Sequence, residues 1–157
     1  MQDNPSEDFD SILVQYGDMV YRLAWAYVRN PSDADDIFQE VFLRYIRRAP
    51  AFENEEHRKA WLLRVTINRA KTHLSKKLLR KAEEPDSAVP FAAPEMLELH
   101  EALKSLPPKY RTVIHLFYYE GYTAEEIGAL LQKKPSTIRT QLTRARQQLA
   151  GLLKDEL

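Results

Sequence analysis

The spacing of apolar residues is the feature that most constrains the fold of this chain. Residues 9–28 carry apolar side chains at three- and four-residue steps, which a helix places on one face. Sustained alternation of apolar and polar residues, the pattern of a half-buried strand, is absent from the sequence, and glycine occurs only four times. The sequence therefore predicts an all-α protein.

Breaks between the first helices are predicted from proline and capping residues. Asn30-Pro31 is expected to end the first helix, and Ser32 with Asp35 forms a capping-box pattern at the start of the second. A third helix is predicted from about residue 56 to residue 80, and Trp61 on this helix is interpreted as a core residue.

The composition changes sharply after the third helix. Residues 82–95 contain three prolines and little periodicity, which is typical of a linker. We therefore expect two small helical domains, at residues 1–81 and 96–157. The second domain should begin with a short helix at 96–106. Pro107-Pro108 then opens a helix that ends at Gly121 and buries Tyr118.

The end of the chain predicts a helix-turn-helix. Thr123 and Glu126 form a capping box for a short apolar helix, and a turn at 132–135 follows. Ser136 is a plausible N-cap for the last helix, which carries several arginines. Two short helices joined by a tight turn, the second one basic, are typical of a DNA-binding helix pair.

The charge is distributed unevenly although its formal sum is zero at pH 7. Residues 57–82 hold nine basic and no acidic residues, and residues 132–149 hold five basic and no acidic residues. Residues 1–56 hold twelve acidic and five basic residues. The two basic blocks indicate two separate contacts with anions, although ordinary solvated helix faces give the same pattern.

Several classes of protein are disfavoured. The sequence has no glycine-rich phosphate loop, nucleophile elbow or cysteine, and its four histidines are scattered. His73 is interpreted as a surface residue because neither an acid nor another histidine lies nearby at ligand spacing. We expect no enzymatic activity, cofactor or metal. The polar, acidic N-terminus and the lack of a run near the roughly 20 apolar residues of a membrane span favour the cytoplasm.

An ordered set of motifs resembles one family. From about residue 9 to 152, the chain is similar to extracytoplasmic-function sigma factors of bacterial RNA polymerase. Asp-Ala-Asp-Asp-Ile-Phe-Gln-Glu-Val-Phe-Leu at 33–43 and Trp-Leu-Leu-Arg-Val-Thr-Ile-Asn at 61–68 resemble their region 2. The segments that resemble their region 4 are residues 106–111, 121–128, 136–139 and 142–146.

The resemblance implies a polymerase-binding face on the second helix, which in the family contacts a coiled coil of the β′ subunit. The matching residues are Asp33, Asp36, Gln39, Glu40 and Leu43. An acidic face suits a basic protein partner. The helix dipole alone also favours acids such as Asp33 and Asp36 in the first turn, but Gln39 and Glu40 lie too deep in the helix for that explanation.

The resemblance also implies that the third helix binds the promoter −10 element as opened, single-stranded DNA. The matching residues are Arg64, Asn68, Arg69, Lys71, Thr72, Ser75, Lys76, Lys77 and Arg80. Asn68 stands where relatives hold a flipped base, and its amide can both donate and accept. The chain departs from many relatives at two of these positions, where Thr72 and Ser75 stand in place of Asp and Arg, and the departure concerns its −10 sequence preference more than DNA binding itself.

The last helix is implied to read the −35 element in the major groove. The matching residues are Ser136, Thr137, Arg139, Thr140, Thr143, Arg144 and Arg146. Arg146 alternatively braces the helix or touches the DNA backbone. The family usually has glycine and an apolar residue in the turn, where this chain has Gln132 and Lys133.

These observations predict a sigma factor that directs polymerase to promoters and assists their melting. Its expected partners are core RNA polymerase, through β′ and β, promoter DNA and an anti-sigma factor, with no small-molecule substrate. The alternative is a sigma-like helical adaptor, or a helix-turn-helix regulator, without promoter-opening activity.

Overall fold

The computed structural model describes residues 5–80 and 102–154 of the chain. The chain divides into two compact units, Met1–Glu84 and Pro85–Leu157. Every regular element in the described residues is a helix, which confirms the all-α prediction. The predicted linker at 82–95 and most of the predicted helix at 96–106 lie outside the described residues. None of the described helices is long and apolar enough to cross a bilayer.

Helix α1 spans Pro5–Val28 and begins earlier than its apolar stripe indicated. The stripe is buried as expected, and Val20 and Leu23 are fully inaccessible. The helix ends where Arg29 adopts a left-handed conformation with φ of 53°. The Arg29 N–H donates to the carbonyl of Trp25 at 2.8 Å, which closes the last turn.

Helix α2 spans Pro31–Arg48, and its N-cap is Asn30. The prediction of Ser32 as the cap was wrong. The side-chain oxygen of Asn30 accepts from the N–H of Asp33 at 2.9 Å. Pro31 occupies the first helical position because it lacks an N–H that would need a partner, so the capping role falls to the residue before it.

Helix α3 spans Glu55–Arg80, close to the predicted bounds, and packs against both α1 and α2. Leu62 and Leu63 are fully buried at the centre of this three-helix unit. Trp61 lies at the edge of the core rather than inside it, partly exposed, with edge-on contacts to Tyr45 and Phe52. Trp61 therefore lies at the boundary between the buried and the exposed sides of α3.

A hydrogen bond ties the start of α3 to α1. The buried Tyr16 donates its hydroxyl to the Glu55 carboxylate at 2.6 Å. This bond and a second one from Arg58 hold the pKa of Glu55 below its ordinary value.

The second unit contains a π turn that the sequence did not predict. Helix α4, Pro108–Ile114, continues into a π-helical turn at His115–Tyr119, in which the N–H of Glu120 donates to the carbonyl of His115 at 3.1 Å. The prediction that Tyr118 is buried was wrong, because it is 59% exposed. A π turn holds an extra residue, which rotates the following side chains away from the α-helical pattern. Gly121 then takes φ of 73°, which ends the element as expected.

Helices α5, Ala124–Leu131, and α6, Pro135–Lys154, form the predicted helix-turn-helix. The capping box of Thr123 and Glu126 is present with both of its hydrogen bonds. The turn lacks the family's usual glycine. Gln132 stands in its place and adopts the left-handed conformation itself, with φ of 58°.

Two details fix how α6 begins. The prediction of Ser136 as its N-cap was wrong, since the helix already starts at Pro135, and the carbonyl of Lys134 accepts from the N–H of Ile138 at 3.2 Å. Gly128 lets the turn pass close to α5. A Cβ there would lie 2.6 Å from the carbonyl oxygen of Lys133.

Candidate polymerase and nucleic-acid interfaces

The five residues expected to bind polymerase all lie on α2, as the sequence indicated. Ala34, Ile37 and Val41 turn into the core, which leaves the opposite side to the solvent. Asp36 and Gln39 are exposed on it. Leu43 is 46% exposed, so it adds apolar area to this side of the helix. The helix therefore presents an acidic face with an apolar residue at one end.

His73 joins this face from α3, which corrects its interpretation as an isolated surface residue. Its Nε2 lies 3.1 Å from Glu40 Oε2, and its Nδ1 lies 3.8 Å from Asp33 Oδ1. The His73 side chain is only 15% exposed. Contacts across two packed helices leave no trace in the spacing along one helix, so the sequence did not reveal them.

Asp33, Asp36 and His73 are also the described residues that could together hold a metal ion. Their ligand atoms lie within 4.8 Å of one another. Groups of this kind are common on protein surfaces without any ion. His73 already contacts the carboxylates of Asp33 and Glu40. The geometry alone therefore assigns no metal to these three residues.

The α3 residues expected to bind DNA line the solvent side of that helix. Arg64, Asn68 and Lys71 are exposed, while Leu63 and Ile67 on the other side are buried. Ser75 and Lys76 continue the exposed side. Lys77 and Arg80 lie within α3, but their side chains are outside the described part of the chain. The helix thus brings the basic residues and the amide of Asn68 to one surface.

Thr72, one of the departures from the family, has a structural role. Its hydroxyl donates to the carbonyl of Asn68 at 3.1 Å and accepts from Arg69 Nη2 at 3.2 Å. The hydroxyl thereby links the guanidinium of Arg69 to the backbone of Asn68. Thr72 thus orients a cation on this surface without being charged itself.

In the second unit, the residues expected to read the −35 element lie on the exposed side of α6. Ile138, Leu142 and Ala145 are buried on its other side. A shallow cleft runs beside α6. It is lined by Lys109, Tyr110, Ser136, Thr137, Thr140, Gln141 and Arg144. Lys109 and Gln141 line this cleft, but the sequence did not place them among the residues expected to bind DNA. The positive charge of Lys109 was the one signal that could have included it.

Two arginines of α6 have intramolecular partners. Arg139 forms an ion pair with the Glu125 carboxylate of α5, and both side chains are more than half exposed. Arg146 donates through Nε to the Tyr118 hydroxyl at 2.6 Å, with its guanidinium over the rings of Phe117 and Tyr118 at 5.3 and 5.5 Å. The geometry favours the bracing alternative for Arg146, because the side chain is held against the π turn that follows α4.

The first unit is a three-helix unit with an acidic face on α2 and a basic face on α3, and the second unit contains a helix-turn-helix, a motif typical of the class of DNA-binding proteins. Family models agree with this division. Residues 12–80 match the model of Sigma-70 region 2, and residues 96–149 match that of Sigma-70, region 4.

Proteins similar in sequence to this chain are also sigma factors. The chain is 34% identical over 158 residues to the ECF RNA polymerase sigma factor SigE of Mycolicibacterium smegmatis, spanning 92% of this chain and 61% of that one. It is 32% identical over 131 residues to the RNA polymerase sigma factor SigV of Bacillus subtilis, spanning 80% of this chain and 78% of that one. The chain therefore belongs to the sigma-70 family of RNA polymerase sigma factors, in the extracytoplasmic-function group.

A solved structure shows the same fold. The sigma factor RpoE from Bartonella quintana, crystallised in complex with the anti-sigma factor NepR, matches with a TM-score of 0.80. The match covers 94% of this chain and 98% of that one at 22% identity. At this identity the likeness concerns the fold alone.

Proposed function

We propose that this chain directs core RNA polymerase to specific promoters and assists their opening. The observation that carries the proposal is the placement of two basic helix surfaces on two separate units, one of which also bears an acidic face. Three kinds of contact are needed for initiation: one to the enzyme, one to duplex DNA and one to opened DNA. The chain has a surface suited to each.

The acidic face of α2 is the proposed contact with the polymerase β′ subunit. Asp33, Asp36, Gln39, Glu40 and Leu43 supply it. Complementary charge mainly sets the rate of encounter and the register of docking, and Leu43 adds apolar area that the partner can bury. His73 of α3 contacts two of these carboxylates, those of Asp33 and Glu40, and helps to position them. The second unit is proposed to contact the β subunit.

The solvent side of α3 is the proposed site for the opened −10 strand. Single strands bind to cationic surfaces that follow the backbone and to groups that take up unstacked bases. Arg64, Arg69 and Lys71 supply charge, and the Asn68 amide can pair with a base edge. Free energy from capturing unpaired bases favours the opened state of the promoter.

Helix α6 is proposed to enter the major groove of the −35 element. Arg144 and Thr143 lie on its exposed side, and an arginine can bind guanine through two hydrogen bonds. Ser136 and Thr137 at the helix start suit phosphate contacts. Neither small unit should bind DNA tightly alone. Held together on polymerase, they raise each other's effective concentration at the promoter.

The chain is proposed to act in the cytoplasm as a binding protein without a reaction, cofactor or small-molecule substrate of its own. Nucleotide addition belongs to the polymerase. We further propose an anti-sigma factor as a regulatory partner, because the structural relative from Bartonella quintana was crystallised with one.

Run-off transcription tests the proposal. Purified core polymerase is combined with the chain on a library of genomic fragments, and the start sites are mapped. The expected result is a set of new start sites that share spaced upstream elements, and that is lost with Arg144→Ala. Binding to polymerase without any change in start sites would instead identify an adaptor. Failure to bind polymerase, with a footprint on a symmetric operator, would identify a helix-turn-helix regulator.

A further inference from the structure

A groove in the first unit is lined by four arginines, three of which lie outside the expected sites. Its walls are formed by Glu40, Leu43, Arg44, Arg47, Arg48 and Arg69. The first five of these belong to α2 and the last to α3. The arginines at positions 44, 47 and 48 are spaced so that a helix places them on one side. The sequence hid this cluster because it lies within the net acidic segment 1–56.

Helix electrostatics explains only part of the cluster. Arg47 and Arg48 lie in the last turn of α2, where the helix dipole favours cations. Arg44 lies before that turn, and Arg69 lies on another helix. All three arginines of α2 are exposed, and among the side chains described at 9–76 and 102–152 no carboxylate forms an ion pair with them. The Glu40 carboxylate also lines the groove and lies 3.1 Å from His73 Nε2, so four guanidinium groups share the groove with a single acid. The groove is therefore net positive and suits an anion.

The position of the groove indicates the kind of anion. Arg69 lines this groove and is also one of the α3 residues expected to bind DNA, so the groove adjoins the proposed DNA surface of α3. Arginine forks bind phosphate oxygens through paired hydrogen bonds.

We propose that Arg44, Arg47 and Arg48 bind the phosphate backbone of promoter DNA, extending the −10 surface from α3 across to the C-terminal half of α2. The inference rests on the proposed function and deepens it. The DNA strand would then pass beside Glu40 and Leu43, so that DNA and polymerase occupy adjacent parts of one helix. Helix α2 would then contact both the polymerase and the opened DNA strand.

The test uses the full chain and its triple variant Arg44→Gln, Arg47→Gln, Arg48→Gln. Binding to a fluorescein-labelled mixed-sequence single strand and to its duplex is followed by anisotropy between about 50 and 200 mM salt. Loss of three phosphate contacts should reduce the slope of log affinity against log salt by about 2 for the single strand. The matched variant with lysine at all three positions should keep most of the slope, because it keeps the charge.

Binding to core polymerase is measured with the same variants and should be retained. An unchanged salt slope for both DNA forms would overturn the inference, because the arginines would then be solvated. An unchanged slope with loss of polymerase binding would overturn it in favour of an acidic protein segment.

The variant Arg64→Gln with Lys71→Gln separates the groove from the proposed function. If this variant loses DNA affinity while the groove variant does not, the groove proposal alone fails. If neither variant changes DNA affinity, both proposals fail.

Discussion

The Nε2 atom of His73 lies 3.1 Å from the carboxylate of Glu40, so the helix proposed to bind DNA contacts the helix proposed to bind polymerase. The imidazole is mostly shielded, and Asp33 lies on its other nitrogen. One side chain thus links the two functional surfaces of the first unit.

Replacing His73 with alanine should weaken this link. We expect the free energy of unfolding of the first unit to fall by about 0.5–1.5 kcal/mol, the usual net value of a hydrogen bond. Both tryptophans, Trp25 and Trp61, lie in this unit, so urea unfolding followed by tryptophan fluorescence reports it selectively. Lys76→Ala on the same helix is the exposed control. Equal effects of the two changes would contradict the role of His73.

The hydrogen bond from Tyr16 to Glu55 should make stability depend on pH. Because the pKa of Glu55 is lowered in the folded state, the contribution is present above its unfolded value, near 4.5, and is lost as the pH falls through the folded value. Tyr16→Phe should therefore destabilise the first unit by about 0.5–1 kcal/mol at pH 7, at the lower end because Glu55 is exposed. The difference should shrink in acid. In a Glu55→Ala background, the effect of Tyr16→Phe should no longer depend on pH in acid, although the Gln15 amide still donates to the Tyr16 hydroxyl at 3.3 Å.

Replacing Gln132 with glycine should raise the stability of the second unit, whereas glycine lowers stability at most positions. A non-glycine residue in the left-handed region costs about 1 kcal/mol, so Gln132→Gly should stabilise the second unit by about that amount. Thermal unfolding followed by circular dichroism measures it. At the nearby Gly128, alanine should destabilise by about 1–3 kcal/mol, since its Cβ would collide with the Lys133 carbonyl. A destabilised Gln132→Gly protein would contradict the strain argument.

Arg144 and Arg146 should separate DNA binding from helix bracing. Arg146→Ala should lower the stability of the second unit by about 1 kcal/mol, because it loses its stacking on two rings and the Tyr118 hydrogen bond. Tyr118→Ala should have a similar effect, and the double variant should be less than additive. Arg144→Ala should leave unfolding unchanged and weaken promoter binding by about 1–3 kcal/mol. Equal loss of promoter binding and no loss of stability in Arg146→Ala would show that it contacts DNA.

Asn68→Ala tests the proposed base contact. The exposed amide has no part in the core, so the protein should remain fully folded. Promoter opening, followed by permanganate reactivity of unpaired thymines, should fall about tenfold if one base contact is worth about 1–3 kcal/mol. Binding to duplex −35 DNA should not change. Retention of full permanganate reactivity would exclude Asn68 from the opened-strand site.

Local signals predicted local structure well. The bounds of α3, the capping box at Thr123 and the buried side of α6 follow from spacings within one or two turns. The caps at Ser32 and Ser136 were misplaced for one shared reason. Each serine follows a proline that itself begins the helix, and the residue before such a proline lies outside it.

Contacts between elements could not be predicted in the same way. The π turn at 115–119 is an insertion within a helix whose composition is unremarkable, so Tyr118 was placed on the wrong side. His73 meets two acids from another helix, and the arginine groove joins residues from both. In the last two cases the packing of helices decides the outcome, and apolar periodicity specifies only which side packs.

The pair formed by Arg139 and Glu125 has a consequence for how tightly α6 would bind DNA. A guanidinium already held by a carboxylate must exchange that partner for a base or a phosphate. The exchange costs the same at every sequence, so the pair lowers the affinity for all sites alike, and the cost is small because both side chains are more than half exposed. In the free protein, Glu125 of α5 would thus compete with DNA for one arginine of α6.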